Sequence, residues 1–149
     1  MATYLLDTNI LLRVDDALAE QSTQARLAIE TLITQDHVCC ITPQVIGEYY
    51  SVATRPVASN GFGWSAEKGR RERDNWLSRY PLLNENAEIF PLWMQLIDQH
   101  GRTGRRIFDL RLLAVMRAHH IMRLLTFDVE DFPLVAGCTI VHPKEVRVQ

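Results

Sequence analysis

Four acidic residues, Asp7, Glu48, Asp109 and Asp128, are spread over the length of this chain, and each stands where a carboxylate needs a reason. Asp7 closes the apolar run Tyr4-Leu5-Leu6, and Asp128 follows Leu124-Leu125-Thr126-Phe127. Glu48 and Asp109 interrupt apolar patterns at helical spacing. Brought together by folding, the four would make an oxygen-only cage suited to a hard divalent cation such as Mg²⁺ or Mn²⁺. Sites of that kind most often handle phosphate esters. Asp131, three residues beyond Asp128, is a fifth and more peripheral oxygen donor. Thr8, Asn9 and Thr126 offer neutral groups that orient carboxylates or their bound waters.

Each carboxylate also has an ordinary explanation. Asp is a favoured helix cap and turn residue, so Asp7 and Asp128 are equally readable as starts of the next element. Asp109 has Leu112, Leu113 and Met116 at i+3, i+4 and i+7, which places it on or beside a buried stripe. An unpaired charge there would cost several kcal/mol, so it calls for a metal, a hydrogen-bond donor or an arginine. Arg105 or Arg106, one turn earlier, is the competing salt-bridge partner. Glu48, viewed alone, reads as a surface residue at the edge of an apolar face, and Asp131 as a solvated turn residue. Thr8, Asn9 and Thr126 are likewise open to reading as ordinary turn residues. The case rests on the set: two carboxylates at strand ends and two at helix edges.

The elements that must position them follow from periodicity. Residues 2–6 read as a short buried strand stopped by Asp7-Thr8-Asn9, and 38–41 as a second. Helical spacing runs from about Leu18 to Thr34. Thr42 as cap and Pro43 at the first helical position start a helix that the Arg55-Pro56 step ends. After a loop over 57–64, Ser65 caps a helix running toward Tyr80. Asn84 or Asn86 opens another, ended by Gly101. Residues 105–120 form an amphipathic helix, 122–126 a third strand and 139–142 a fourth. Short apolar strands alternating with helices predict an α/β fold with a mostly parallel sheet, in which ligands settle beyond the carboxyl ends of the strands.

At 149 residues the chain is expected to form a single domain, 1–149, large enough to bury a core without disulfides. Cys39, Cys40 and Cys138 have neither the number nor the spacing of a zinc ribbon or a cystine scaffold, so reduced thiols and a cytoplasmic location are expected. The five histidines show no paired-ligand spacing, and no Walker loop, dinucleotide fingerprint or nucleophile elbow is present. Net charge is −2, yet twelve of the sixteen Lys and Arg residues fall between Arg55 and Arg123. Arg70-Arg71-x-Arg73 is interleaved with Glu67, Glu72 and Asp74 and reads equally as a solvated face. Arg102-x-x-Arg105-Arg106 contains no acid and is the better phosphate-facing candidate.

Several segments resemble the PIN-domain ribonucleases, and most closely the VapC-like toxins of bacterial type II toxin–antitoxin pairs. They are Tyr4-Leu-Leu-Asp7-Thr-Asn9, Glu48 in Gln44-Val-Ile-Gly-Glu48-Tyr, Asp109 in Ile107-Phe-Asp-Leu-Arg-Leu-Leu-Ala114, and Leu125-Thr-Phe-Asp-Val-Glu-Asp-Phe132. The resemblance covers nearly the whole chain, and the Asp-Thr-Asn opening with the Thr-Phe-Asp-x-x-Asp-Phe segment makes it fairly specific. It implies a Rossmann-like three-layer α/β/α fold and a Mg²⁺- or Mn²⁺-dependent endoribonuclease. It further implies a homodimer and a cognate antitoxin protein whose tail covers the site. On it, Asp7, Glu48, Asp109 and Asp128 match the acidic metal-binding positions and Asp131 an accessory one. One departure is Phe108, where related sequences often carry a polar residue, commonly His. The Arg55–Arg79 stretch resembles an elaboration found in some members. The expectation is therefore hydrolysis of RNA phosphodiesters, with Arg102, Arg105 and Arg106 on the RNA backbone. Two alternatives stand beside it: a non-catalytic RNA-binding or regulatory module, and a Mg²⁺-dependent phosphatase, which Asn9 disfavours because that class has a second Asp there.

Overall fold

A computed structural model describes residues 1–17 and 19–148. Four short strands, β1 (Thr3–Leu6), β2 (Val38–Cys40), β3 (Arg123–Leu125) and β4 (Thr139–Val141), form one sheet in the order β2-β1-β3-β4. Every pairing is parallel, so the sheet expected to be mostly parallel is wholly so. Among the described residues six α-helices accompany it: α1 (Thr8–Asp15), α2 (Glu20–Thr34), α3 (Pro43–Thr54), α4 (Ala66–Arg79), α5 (Ile89–His100) and α6 (Ile107–Ala118). Parallel strands need helical crossovers that cover both faces, and the three-layer α/β arrangement is the outcome.

The central strands are apolar on both faces, as that burial demands. Leu5, Leu6, Leu124 and Leu125 are fully buried and pack with Ile10, Leu11, Leu110 and Leu113 in one core. Cys39 and Cys40 lie in the same core as free thiols, and burial pushes both up to about 12.

Helix α1 is the element that strand-and-turn reading misses. Asp7-Thr8-Asn9 does stop β1, but it does so by starting a helix at once: the Asp7 carboxylate accepts the Thr8 N–H at 2.7 Å. Ile10 and Leu11 then turn into the core. The anticipated start of α2 at Leu18 lies outside the described residues, and α2 is observed from Glu20. Thr42 caps α3 through Oγ1 to the Val45 N–H, and Ser65 caps α4 through the Lys68 N–H, both as the sequence predicts. Helix α5 begins at Ile89, later than Asn84 or Asn86 predicts, and ends at Gly101 in a left-handed conformation at φ 63°.

Candidate active site

Sheet register alone brings the first two acidic segments together. Leu6 pairs with Leu125, so the next residues, Asp7 and Thr126, leave the two central strands side by side. The Asp7 N–H donates to the Leu125 carbonyl at 3.0 Å, and Thr126 Oγ1 donates to Asp7 Oδ2 at 2.8 Å. The chain order reverses here, since β1 continues to β2 on one side and pairs with β3 on the other. That is the crevice where open α/β sheets take ligands.

Neutral side chains then knit the carboxylates together. Asn9 Nδ2 reaches Asp7 Oδ2 at 3.4 Å, Thr126 Oγ1 at 3.0 Å and Asp128 Oδ2 at 3.1 Å. Its Oδ1 accepts the Phe127 N–H at 3.1 Å, which fixes the loop after β3 to the start of α1. Thr126 Oγ1 also accepts the Asp128 N–H at 3.0 Å. From the other side, Thr8 Oγ1 donates to Glu48 Oε2 at 2.8 Å. The three residues anticipated as orienting groups therefore all contact acids of the set.

Asp7 is both a cap and a site carboxylate: one oxygen starts α1 while the other holds Thr126 and Asn9. It is buried, and burial pushes its carboxyl up to about 7. The hydrogen bonds from Thr126 and Thr8 pull it down, while Glu48 and Asp109 push it further up. Asp109, in the first turn of α6, is raised to about 6, chiefly by burial and then by the charge of Asp131. Arg106 lowers it, Glu48 raises it and Arg102 lowers it. These mutual influences mark Asp7, Glu48, Asp109 and Asp131 as one electrostatic neighbourhood. Asp128 hangs on the Asn9 amide, and its side chain caps nothing in the 3-10 turn that follows it.

Among the described residues, none of Asp7, Glu48, Asp109 or Asp128 enters an ion pair. The salt bridge weighed for Asp109 does not form. Arg106 instead reaches Asp131 at 3.3 Å, while Arg105 is exposed and Arg102 half-buried. The sequence did not reveal the contacts that Gln44 and Arg111 build around Glu48. Gln44, one turn earlier, donates to Glu48 Oε1 at 3.0 Å and to the Phe108 carbonyl at 3.0 Å. Arg111 donates to Gln44 Oε1 at 3.3 Å and pairs with Glu85 at 2.8 Å. The i−4 spacing of Gln44 to Glu48 was visible; the approach of α6 was not.

The donor set suits a hard cation in chemistry, being all oxygen, with Arg106 and Arg102 near Asp109 the cations that act on it. In position it is open: among the described residues no three His, Cys, Asp or Glu side chains are gathered closely enough to hold an ion. Hydrogen bonds from Thr8, Asn9 and Thr126 stand between the carboxylates. A spread-out set of this kind accords with Mg²⁺, which keeps several waters and takes only one or two carboxylates directly.

The sequence matches the PIN domain family over residues 4–137. The chain belongs to the PIN domain family. No curated protein matches it. Among solved structures, VapBC2 from Rickettsia felis, bound to a DNA fragment from its promoter, is similar at a TM-score of 0.71 and 18% identity, covering 94% of this chain and 98% of that one. A toxin–antitoxin complex from Klebsiella pneumoniae is similar at 0.65 and 21% identity, covering 94% and 97%. VapC20 from Mycobacterium tuberculosis, described as a Sarcin-Ricin loop cleaving toxin, is similar at 0.53 and 17%, covering 81% and 86%. At such identities the likeness is one of fold. In this PIN domain the acidic set lies where that fold presents the ends of its central strands.

Proposed function

We propose that this PIN domain is a divalent-metal-dependent endoribonuclease that hydrolyses RNA phosphodiesters, and that it acts as the toxin of a toxin–antitoxin pair. One observation carries the reading: a buried carboxylate, Asp7, lies within electrostatic reach of Glu48 and Asp109, and among the described residues none of the three enters an ion pair. Uncompensated like charges raise the energy of the apo fold and persist where a cation makes use of them. Asp7, Glu48, Asp109 and Asp128 are the residues proposed to hold Mg²⁺ or Mn²⁺, with Asp131 accessory. When bound, such an ion acidifies an attacking water and offsets the charge that gathers on the phosphate.

The chain's own groups supply the rest. Thr126, Asn9 and Thr8 fix the rotamers of Asp7, Asp128 and Glu48, so the oxygens need little rearrangement when substrate arrives. A carboxylate not engaged with the ion takes the proton of the attacking water. Arg102, Arg105 and Arg106 are proposed to hold the RNA backbone, which gives affinity that falls steeply with salt. A protein antitoxin is the proposed partner, supported by the fold likeness to structures described as VapBC and as a toxin–antitoxin complex, and a homodimer is the proposed assembly.

The test is cleavage of a structured RNA pool by the wild-type protein and by Asp7→Asn. Cleavage with Mg²⁺ or Mn²⁺ that stops with chelator and falls by about 100-fold or more in the variant is expected, since even residues behind the ligands contribute 10–100-fold. Equal activity in the two proteins, or RNA binding with no cleavage under either metal, refutes it in favour of a non-catalytic module. Co-purification with the product of the adjacent reading frame tests the antitoxin.

A further inference from the structure

Phe108 immediately precedes Asp109 and is 45% exposed, an unusual place for a large apolar ring. Its backbone is held on both sides. Trp93 Nε1 donates to the Ile107 carbonyl at 2.7 Å, and Gln44 Nε2 donates to the Phe108 carbonyl at 3.0 Å while also holding Glu48. Trp93 lies against the Phe108 ring, with centroids 5.8 Å apart at 38°. The ring is thus fixed relative to the carboxylates and left open to solvent.

Charge decides what covers it. The aromatic run continues from Trp93 to Phe90, which is 64% exposed, and that end is flanked by Glu88 and Asp98. The Phe108 end has Arg102, Arg105 and Arg106 just before it in the chain, with Arg106 paired to Asp131, and the carboxylates Asp109 and Glu48 on its other side. The first end offers a polyanion no cation, whereas the second offers three arginines for its backbone beside the carboxylates proposed to hold the metal. An exposed aromatic ring beside a basic segment is the combination that takes single-stranded nucleic acid, the ring stacking on a base and the cations tracking the backbone.

We propose that Phe108 is a stacking platform for the base next to the scissile phosphate, held in register with Glu48 by Gln44. The proposal rests on the ribonuclease reading and names a residue that positions its substrate. A base inside a duplex has both faces covered and cannot reach the ring; one in a loop or free strand can.

The experiment measures binding of a short single-stranded RNA carrying one 2-aminopurine, and of the matching duplex, to the Asp7→Asn protein with and without changes at Phe108. Adding Phe108→Ala is expected to weaken single-strand binding about tenfold and to abolish the fluorescence change, while leaving duplex binding as it was. Phe108→Trp restores both; Phe108→Leu, apolar but not planar, does not. Unchanged affinity in Phe108→Ala, or full rescue by Leu, overturns the proposal. So does a failure of Asp7→Asn to bind single-stranded RNA, or a loss of affinity accompanied by dissociation in sedimentation, which would assign the ring to a second copy of the chain. The two readings separate cleanly. Ring-dependent stacking without cleavage by wild type sinks the nuclease assignment, and cleavage indifferent to residue 108 sinks the platform.

Discussion

Helix α1 carries a carboxylate at each end, and the two are built from similar contacts to opposite effect. Asp7, at its start, accepts hydrogen bonds from Thr8, Asn9 and Thr126. Asp15, in its last turn, accepts from the Tyr49 hydroxyl at 2.6 Å and the Trp76 indole at 2.9 Å. Donors at Asp15 come from α3 and α4, so that carboxylate ties three helices together. Burial and the bond to Asp15 hold the Tyr49 hydroxyl protonated. A cavity of about 340 Å³ beside Asp15 is also lined by Arg26 and Arg79 together with Glu30 and Glu72, so charges of both signs are at hand. Around Asp7 the nearby charges are Glu48 and Asp109, both of its own sign. Hydrogen bonding alone does not separate a structural carboxylate from one proposed to hold a metal; the charge of the neighbours does.

The largest effects should therefore appear in different assays. Asp7→Asn is expected to cut RNA cleavage by about 100-fold or more while leaving the fold intact. Asp15→Ala strands two buried donors, Tyr49 Oη and Trp76 Nε1, at about 3 kcal/mol in all. That lowers the melting temperature by roughly 10 °C, with cleavage by the folded fraction little changed. If denaturation curves show Asp7→Asn to be the less stable of the two, the contrast fails. Between them sits Thr126→Val, which removes a hydroxyl bonded to Asp7, Asn9 and Asp128 at once. A 10–100-fold loss of activity is expected there, largely recovered by Thr126→Ser.

The two ends were unequally legible in the sequence. Asp7, Asp128 and Thr126 flank apolar runs short enough to be strands, and a parallel sheet places such positions beside one another whatever the exact register. The caps Thr42, Ser65 and Gly101 were readable because each acts on its own neighbours. Asp15 was silent: its partners Tyr49 and Trp76 are 34 and 61 residues away, and the helix that carries it was hidden behind a turn-like opening. Gln44 and Arg111 escaped for the same reason, since their value depends on how α6 approaches α3. The unpaired state of Asp109 was not readable either, because Arg106 one turn back has an alternative in Asp131 that only folding reveals.

Protonation gives a smaller and more diagnostic signal. Asp7 and Asp109 are raised on folding to about 7 and about 6 from ordinary values near 3.8. The folded protein therefore holds protons that the unfolded chain has released. The stability they confer is complete below about pH 4 and is lost as pH rises through 6 to 7. Asp7→Asn removes the Asp7 share, so in chelator its melting temperature should overtake that of wild type progressively between pH 4 and 7. Mg²⁺ or Mn²⁺ binds the deprotonated form and should raise the wild-type melting temperature, more at pH 8 than at pH 6, with little effect on the variant. A wild-type advantage that grows with pH in chelator would contradict the uncompensated-charge account.

The finest distinction concerns Arg106, the one cation that pairs with the acidic set among the described residues. Its bond to Asp131 is half-exposed, so it contributes at most about 1 kcal/mol to stability. Either partner can therefore be changed without unfolding the protein. If Arg106 also serves the RNA backbone, Asp131 competes with phosphate for it. Arg106→Gln should then lower RNA affinity in chelator and reduce the salt dependence by about one unit of slope. Asp131→Asn, by releasing Arg106, should raise affinity and leave that slope at least as steep. A purely structural bridge predicts instead that both substitutions shift stability by similar small amounts and leave binding alone. Opposite signs in a salt titration of the two variants would show that this arginine is held in reserve at the rim of the site, where the acidic end of α1 gives way to the surface that receives the substrate.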